Sequence, residues 1–190
     1  MITAKKKKII VGITGASGAI YAKSLLQKLS LVPEQIEICN IIFSEYGKAV
    51  WKHELAEDKI DDIPFNVYDN KDFFAPFASG SSKYDIMLIC PCTMGTMGRI
   101  ASGIANDLIS RSADVMLKER RKLILLIREM PLNLIHINNM KIVTEAGGII
   151  CPASPSFYSL PSSLDEIVET VTNKLLNLAG FEIDSYRWSE

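Results

Sequence analysis

Short apolar runs recur along this chain, and segments with helical spacing fall between them. Ile9–Ile13, Ile36–Phe43, Ile86–Cys90, Lys122–Ile127 and Ile149–Cys151 are too short for buried helices. They are also too continuously apolar for surface strands, so each reads as a strand buried on both faces. A weaker strand falls near Phe65–Tyr68. The intervening segments read as helices. Ala19–Leu29 carries Ile20, Leu25, Leu26 and Leu29 on one face, and Ser44 caps a helix reaching about Glu54. Asn106–Arg120 forms another, and Pro131 opens one that stops at Gly147-Gly148. Ser163 and Glu166 form a capping box for the last helix, whose buried face is Leu164, Ile167, Val168, Val171 and Leu175.

Alternation of this kind implies an α/β fold. The expectation is a single-domain, Rossmann-like (flavodoxin-like) parallel sheet with helices on both faces, spanning residues 1–190. The length of 190 residues suits one domain with a full core. A hydrophobic fraction of 48% and a charged fraction of 23% are those of a globular protein. A net charge of -1 argues against a nucleic-acid surface. The basic run Lys5–Lys8 reads as a solvated tail ahead of the first strand. No apolar run reaches membrane-spanning length, and the stretch after the lysines is broken by glycines, unlike a signal peptide. The expected location is cytoplasmic. Cys39, Cys90, Cys92 and Cys151 read as buried reduced thiols, and the two histidines, His53 and His136, do not make a metal centre.

In an open α/β sheet the ligand lies at the carboxyl ends of the strands, so the residues just beyond each strand matter most. After the first comes Thr14-Gly15-Ala16-Ser17-Gly18, a glycine-rich turn into a helix and a candidate anion site. Its G-x-x-G-x-x-G spacing is not the dinucleotide fingerprint, and the P-loop lysine is missing. Ser44 comes after the second strand. Pro91–Thr96 comes after Cys90 and begins a segment to Gly103 that reads as a loop with a short helical piece. Arg128-Glu129 lies beyond the next strand, and Pro152–Tyr158 beyond the last. Small residues, hydroxyls and amides gathered on one edge suit a mononucleotide. Arg128 is a fork-shaped donor suited to phosphate. Arg111 and Lys118, seven residues apart, share a helix face. Residues 69–83 read as a long functional loop.

Together these segments resemble the UbiX-like flavin prenyltransferases. The matching stretches are GITGASGAIY at 12–21, the Ser44–Glu54 helix and FFAPFASGS at 73–81. They continue through the block at 90–125, REMPLNLIHINNM at 128–140 and PASPSFYSLP at 152–161. The resemblance implies transfer of the dimethylallyl group of dimethylallyl monophosphate to N5 and C6 of reduced flavin mononucleotide (FMN). It also implies a metal-independent reaction, a UbiD-type decarboxylase as recipient of the prenylated FMN, and a homo-oligomer, a dodecamer, with flavin sites between subunits. Carried over by motif, Gly15, Ala16, Ser17, Ser44, Thr93, Met94, Gly95, Thr96 and Arg128 hold the flavin. Tyr158, Lys174, Arg111, Lys118, Ser79 and Gly80 surround the prenyl phosphate. Ser17 and Glu54 assist proton transfer, Lys118, Arg128 and Lys174 stabilise the leaving phosphate, and Glu129 donates a proton or orients the basic cluster. Phe73, with Trp188, shields an allylic cation.

Some positions depart from the family pattern. Phe73 stands where many relatives have tryptophan, Ser156 where glycine is common, and Ile127 where proline is frequent. Lys174 keeps the charge of a position that is lysine or arginine. Two other readings fit parts of the sequence: a flavin-dependent cysteine decarboxylase, or a non-catalytic flavin-binding partner of a decarboxylase. The first relies on a histidine near the flavin, and none lies between His53 and His136. The second has no use for Lys118, Glu129, Tyr158 and Lys174.

Overall fold

The computed structural model describes residues 5–56, 60 and 63–186. Six parallel strands form one sheet in the order β3-β2-β1-β4-β5-β6. They are β1 (Lys7–Ile13), β2 (Ile36–Phe43), β3 (Asn66–Asp69), β4 (Ile86–Cys92), β5 (Lys122–Ile127) and β6 (Ile149–Pro152). The helices are α1 (Ala19–Ser30), α2 (Glu45–Leu55), α3 (Met94–Ala101), α4 (Leu108–Lys118), α5 (Leu134–Glu145) and α6 (Leu164–Ala179). The strand order reverses between β1 and β4, which makes their carboxyl ends the expected crevice of a doubly wound sheet.

Period-two alternation along the buried strands feeds two cores. Ile9, Val11 and Ile13 face α1, α2 and α6, with Trp51 edge-on to Phe43 at 5.5 Å. Ile10, Ile42, Met87 and Ile89 face α3, α4, α5 and the segment around Phe77. Every residue of β4 is buried, as a central strand covered on both sides requires. All four cysteines are free and buried. Among the described residues no helix is long and apolar enough to cross a membrane.

Several boundaries differ from the sequence reading. Lys7 and Lys8 belong to β1, not to a tail. The Lys8 amide donates to Asp85, and Lys5 pairs with the same carboxylate at 3.2 Å. Most of the expected loop at 91–103 is α3: Thr93 caps it, and Met94, Met97 and Ile100 bury one side. Pro131 does not open α5; Asn133 does, accepting from His136 N. The capping box of α6 is half formed. Ser163 accepts from Glu166 N, but the Glu166 carboxylate reaches back to Ser162. Leu164 is exposed, and Val168, Val171, Thr172, Leu175 and Leu176 make the buried face. Apart from Ile60, the polar stretch at 57–62 lies outside the described residues, as do Trp188 and the rest of 187–190.

Candidate active site

The carboxyl ends of β1 and β4 are stitched together by one side chain. Thr14, 2% exposed, donates its hydroxyl to Pro91 O at 2.7 Å and accepts from Thr93 N at 2.8 Å. Its own amide also donates to Pro91 O. Thr93 is thereby fixed as the cap of α3, accepting from Thr96 N at 3.1 Å and donating to Thr96 Oγ1 at 2.9 Å. The Met94 and Gly95 amides stand in the first turn beyond this cap, where a helix leaves N–H groups for a ligand. Nothing lies within 4 Å of where a Cβ of Gly95 would sit, so the turn faces open space.

On the other side of β1, α2 begins hard against the strand end. Ser44 N donates to Ile13 O, and Ser44 Oγ caps Gly47 N at 2.9 Å. A Cβ at Gly15 would lie 2.5 Å from Tyr46 Cβ, so only glycine fits this crossing. Gly18 takes φ 114° at the start of α1. The anion expected at this helix terminus is supplied by the chain itself. The Glu54 carboxylate accepts from Gly18 N at 2.9 Å and Ala19 N at 2.8 Å, and hydrogen-bonds the Ser17 hydroxyl. Burial alone would raise the Glu54 carboxyl. The Ser17 hydroxyl, the two amides and the Arg128 charge outweigh it and hold the group below the usual glutamate range. Arg128, from the end of β5, donates Nε to Ser17 O at 3.0 Å. Gly15, Ala16, Ser17, Ser44, Glu54, Thr93, Met94, Gly95, Thr96 and Arg128 are thus brought to one edge.

The other predicted residues divide. Glu129 is on that edge, but its carboxylate turns back to Met130 N at 3.0 Å. Tyr158 is exposed in the loop after β6. Lys174 lines a groove of about 600 Å³ with Ser154, Ser156, Thr170 and Tyr186 against α6. Burial raises the Cys151 thiol, and the Lys174 charge offsets part of this.

Ser79, Gly80 and Lys118 are elsewhere. Helix α4 starts at the carboxyl edge, where Leu108 N donates to Asn70 O, and runs back so that β5 begins four residues after Lys118. Lys118 is therefore at the amino edge of the sheet, about 20 Å from Arg128 along a six-residue strand. There it pairs with Glu119 at 2.5 Å, and Arg121 holds the loop through Gly80 O and Ser82 O. The Lys118 bond and charge draw the Glu119 carboxyl below its ordinary range. Arg111 sits between the edges, donating Nε to Ala78 O. Phe73 is exposed in this same 70–85 segment.

Comparison with known proteins agrees with the architecture and the motifs. The family model described as Flavoprotein matches residues 2–176. The Flavin prenyltransferase UbiX of Methanocaldococcus jannaschii is 44% identical over 184 residues, covering 95% of this chain and 98% of that one. The crystal structure of AnUbiX (PadA1) in complex with FMN and dimethylallyl pyrophosphate superposes with a TM-score of 0.88 at 35% identity, over 98% of this chain and 100% of that one. A dodecameric FMN-dependent UbiX-like decarboxylase from Escherichia coli O157:H7 gives 0.89 at 36% identity, over 95% and 99%. The chain belongs to the UbiX-like flavin prenyltransferase family.

Within that family fold, sequence reading did not single out two residues of the edge. Thr14 reads only as the first residue of the glycine-rich turn, and the β1–β4 pairing reveals that it binds both Pro91 and Thr93. Arg99 falls in the segment that reads as a loop with a short helical piece, and nothing in that reading marks it. Its Nη2 lies 3.2 Å from both Thr96 Oγ1 and Asp107 Oδ2, joining the first turn of α3 to the cap of α4. A signal for it was available: an arginine three residues after a first-turn threonine faces the same side of a helix.

Proposed function

We propose that residues 1–190 form one flavin prenyltransferase domain. It joins the dimethylallyl group of dimethylallyl monophosphate to N5 and C6 of reduced FMN and makes prenylated FMN for a UbiD-type decarboxylase. The observation that carries this reading is the junction of Ser17, Glu54 and Arg128. It places an ionised carboxylate, a hydroxyl bonded to it and a fixed cation beside an open helix turn. The donor set fits FMN. The Met94 and Gly95 amides, with Thr93, Thr96, Ser44 and Arg128, supply neutral and cationic donors for a phosphate and a flavin edge. The bound flavin supplies the nucleophilic ring nitrogen and carbon.

The chain's own residues do the rest. Glu54, kept ionised, accepts protons through the Ser17 hydroxyl to which it is bonded. Tyr158 and Lys174 bind the prenyl phosphate with Arg111, and Lys118, Arg128 and Lys174 stabilise its growing charge as the carbon–oxygen bond breaks. Glu129 orients that basic cluster. One copy cannot bring Lys118, Ser79 and Gly80 to Arg128, because they lie at opposite edges of the sheet. A second copy in a homo-oligomer, a dodecamer on the family pattern, supplies them. The buried free thiols support a reducing, cytoplasmic compartment.

The test is anaerobic incubation of the purified protein with reduced FMN and dimethylallyl monophosphate, read by mass spectrometry. The flavin gains one five-carbon unit. Unchanged flavin on folded, flavin-loaded protein would contradict the reading.

A further inference from the structure

Thr96 is 3% exposed, and its hydroxyl has one proton to give and two lone pairs to fill. Thr93 Oγ1 donates to it at 2.9 Å and Arg99 Nη2 donates to it at 3.2 Å. Arginine has no acceptor, so the direction of the second bond is fixed. Both lone pairs are thus taken, and among the described residues the Thr96 proton has no acceptor. A hydroxyl in this state keeps its proton for a further acceptor, and Thr96 follows Gly95, beside which there is open space, in the first turn of α3.

Arg99 is itself held firmly. Its Nη2 also meets Asp107 Oδ2 at 3.2 Å, and Asp107 is locked as the cap of α4 by Ser110 N and Ser110 Oγ, each at 2.7 Å. Its Nε is buried without a hydrogen bond, so among the described residues the guanidinium acts through the one nitrogen that touches Thr96 and Asp107. A guanidinium placed only to tie two helices together has no need to address a threonine hydroxyl.

We propose that Arg99 is a positioning residue that, by occupying the second lone pair of Thr96, turns the Thr96 proton toward the phosphate of the bound flavin. This rests on the reading that the first turn of α3 holds that phosphate. It adds a residue that does not touch the ligand but decides whether a neighbouring hydroxyl is a donor or an acceptor. A threonine free to rotate would present a lone pair to the phosphate for part of the time, which repels.

The experiment compares FMN with riboflavin, which lacks the phosphate, on the full-length protein. Arg99→Met should weaken FMN binding about tenfold and riboflavin binding less than twofold. Arg99→Lys, which keeps a charged donor, should restore FMN affinity to within about threefold of the parent. Thr96→Val should lose the same preference for FMN, and adding Arg99→Met to it should change nothing further. Melting curves establish that each variant is folded, and Arg99→Leu, which also lacks a donor, replaces Arg99→Met if that variant fails. Equal weakening of both flavins, or additive losses in the double variant, would show a structural staple and overturn the proposal. If Thr96→Val loses the preference and Arg99→Met keeps it, only the role of Arg99 falls. If Thr96→Val leaves the preference intact, the placement of the phosphate falls with it.

Discussion

The two edges of the sheet hold the same kinds of residue and use them differently. At the carboxyl edge three side chains are bonded into the backbone of a neighbouring element. Thr14 ties β1 to β4, Glu54 closes the start of α1, and Arg128 reaches the carbonyl of Ser17. At the amino edge Lys118 pairs with the adjacent Glu119, both at the surface. The first arrangement is built within one chain and is ready to receive a ligand. The second is a surface charge cluster set apart from the ligand edge of its own chain. A site formed from both therefore needs two copies, and its halves should respond differently to mutation.

Stability shows the largest contrast. Thr14→Val removes a buried donor and acceptor at once and leaves Pro91 O and Thr93 N short of a partner. It should cost about 2–3 kcal/mol, read by denaturant unfolding. Lys118→Ala breaks only an exposed pair and should leave the melting temperature within about 2 °C. Comparable losses in the two variants would erase the distinction between a built edge and a surface cluster.

A smaller effect comes from pH. The folded Glu54 carboxyl lies below its ordinary value of 4.5, so its contribution to stability is present above that value. It is lost as the pH falls through the folded value. The melting temperature of the parent should therefore drop more steeply on acidification below the ordinary glutamate range than that of Glu54→Gln. Parallel curves would mean that the carboxylate is not held by Ser17, Gly18 and Ala19 in solution.

How much of the fold and the site was legible in the sequence depends on where the information resides. Ile36–Phe43 and Lys122–Ile127 are read to the residue, because apolar side chains dominate both, with Glu37 and Asn40 the polar exceptions in the first and Lys122 in the second. Helix α3 is not, since two glycines in Met94–Gly98 suppress helix propensity and the Thr93 cap and three buried side chains overrule it. The residues after β1, β2, β4 and β5 fall on the ligand edge because parallel strands all end there. Lys118 is different: its spacing from Arg111 fixes a helix face, but a face does not say which end of the helix meets the ligand. The direction of α4 through the fold decides that. Glu54 illustrates a third case. The helix terminus reads as an anion site, and the anion it holds lies 36 residues beyond Gly18, a separation at which local pattern carries no signal.

The division of the site between copies can be measured directly. Glu54→Ala and Lys118→Ala each disable one half, and each protein alone should form prenylated FMN at less than about one hundredth of the parental rate. The two are then dissociated, mixed in equal amounts and reassembled. If Glu54 of one copy works with Lys118 of another, some sites regain both residues, and random mixing predicts about a quarter of parental activity. If the mixture stays as inactive as its components while reassembled oligomers are present, both residues act within one chain, and the two-edge account is wrong.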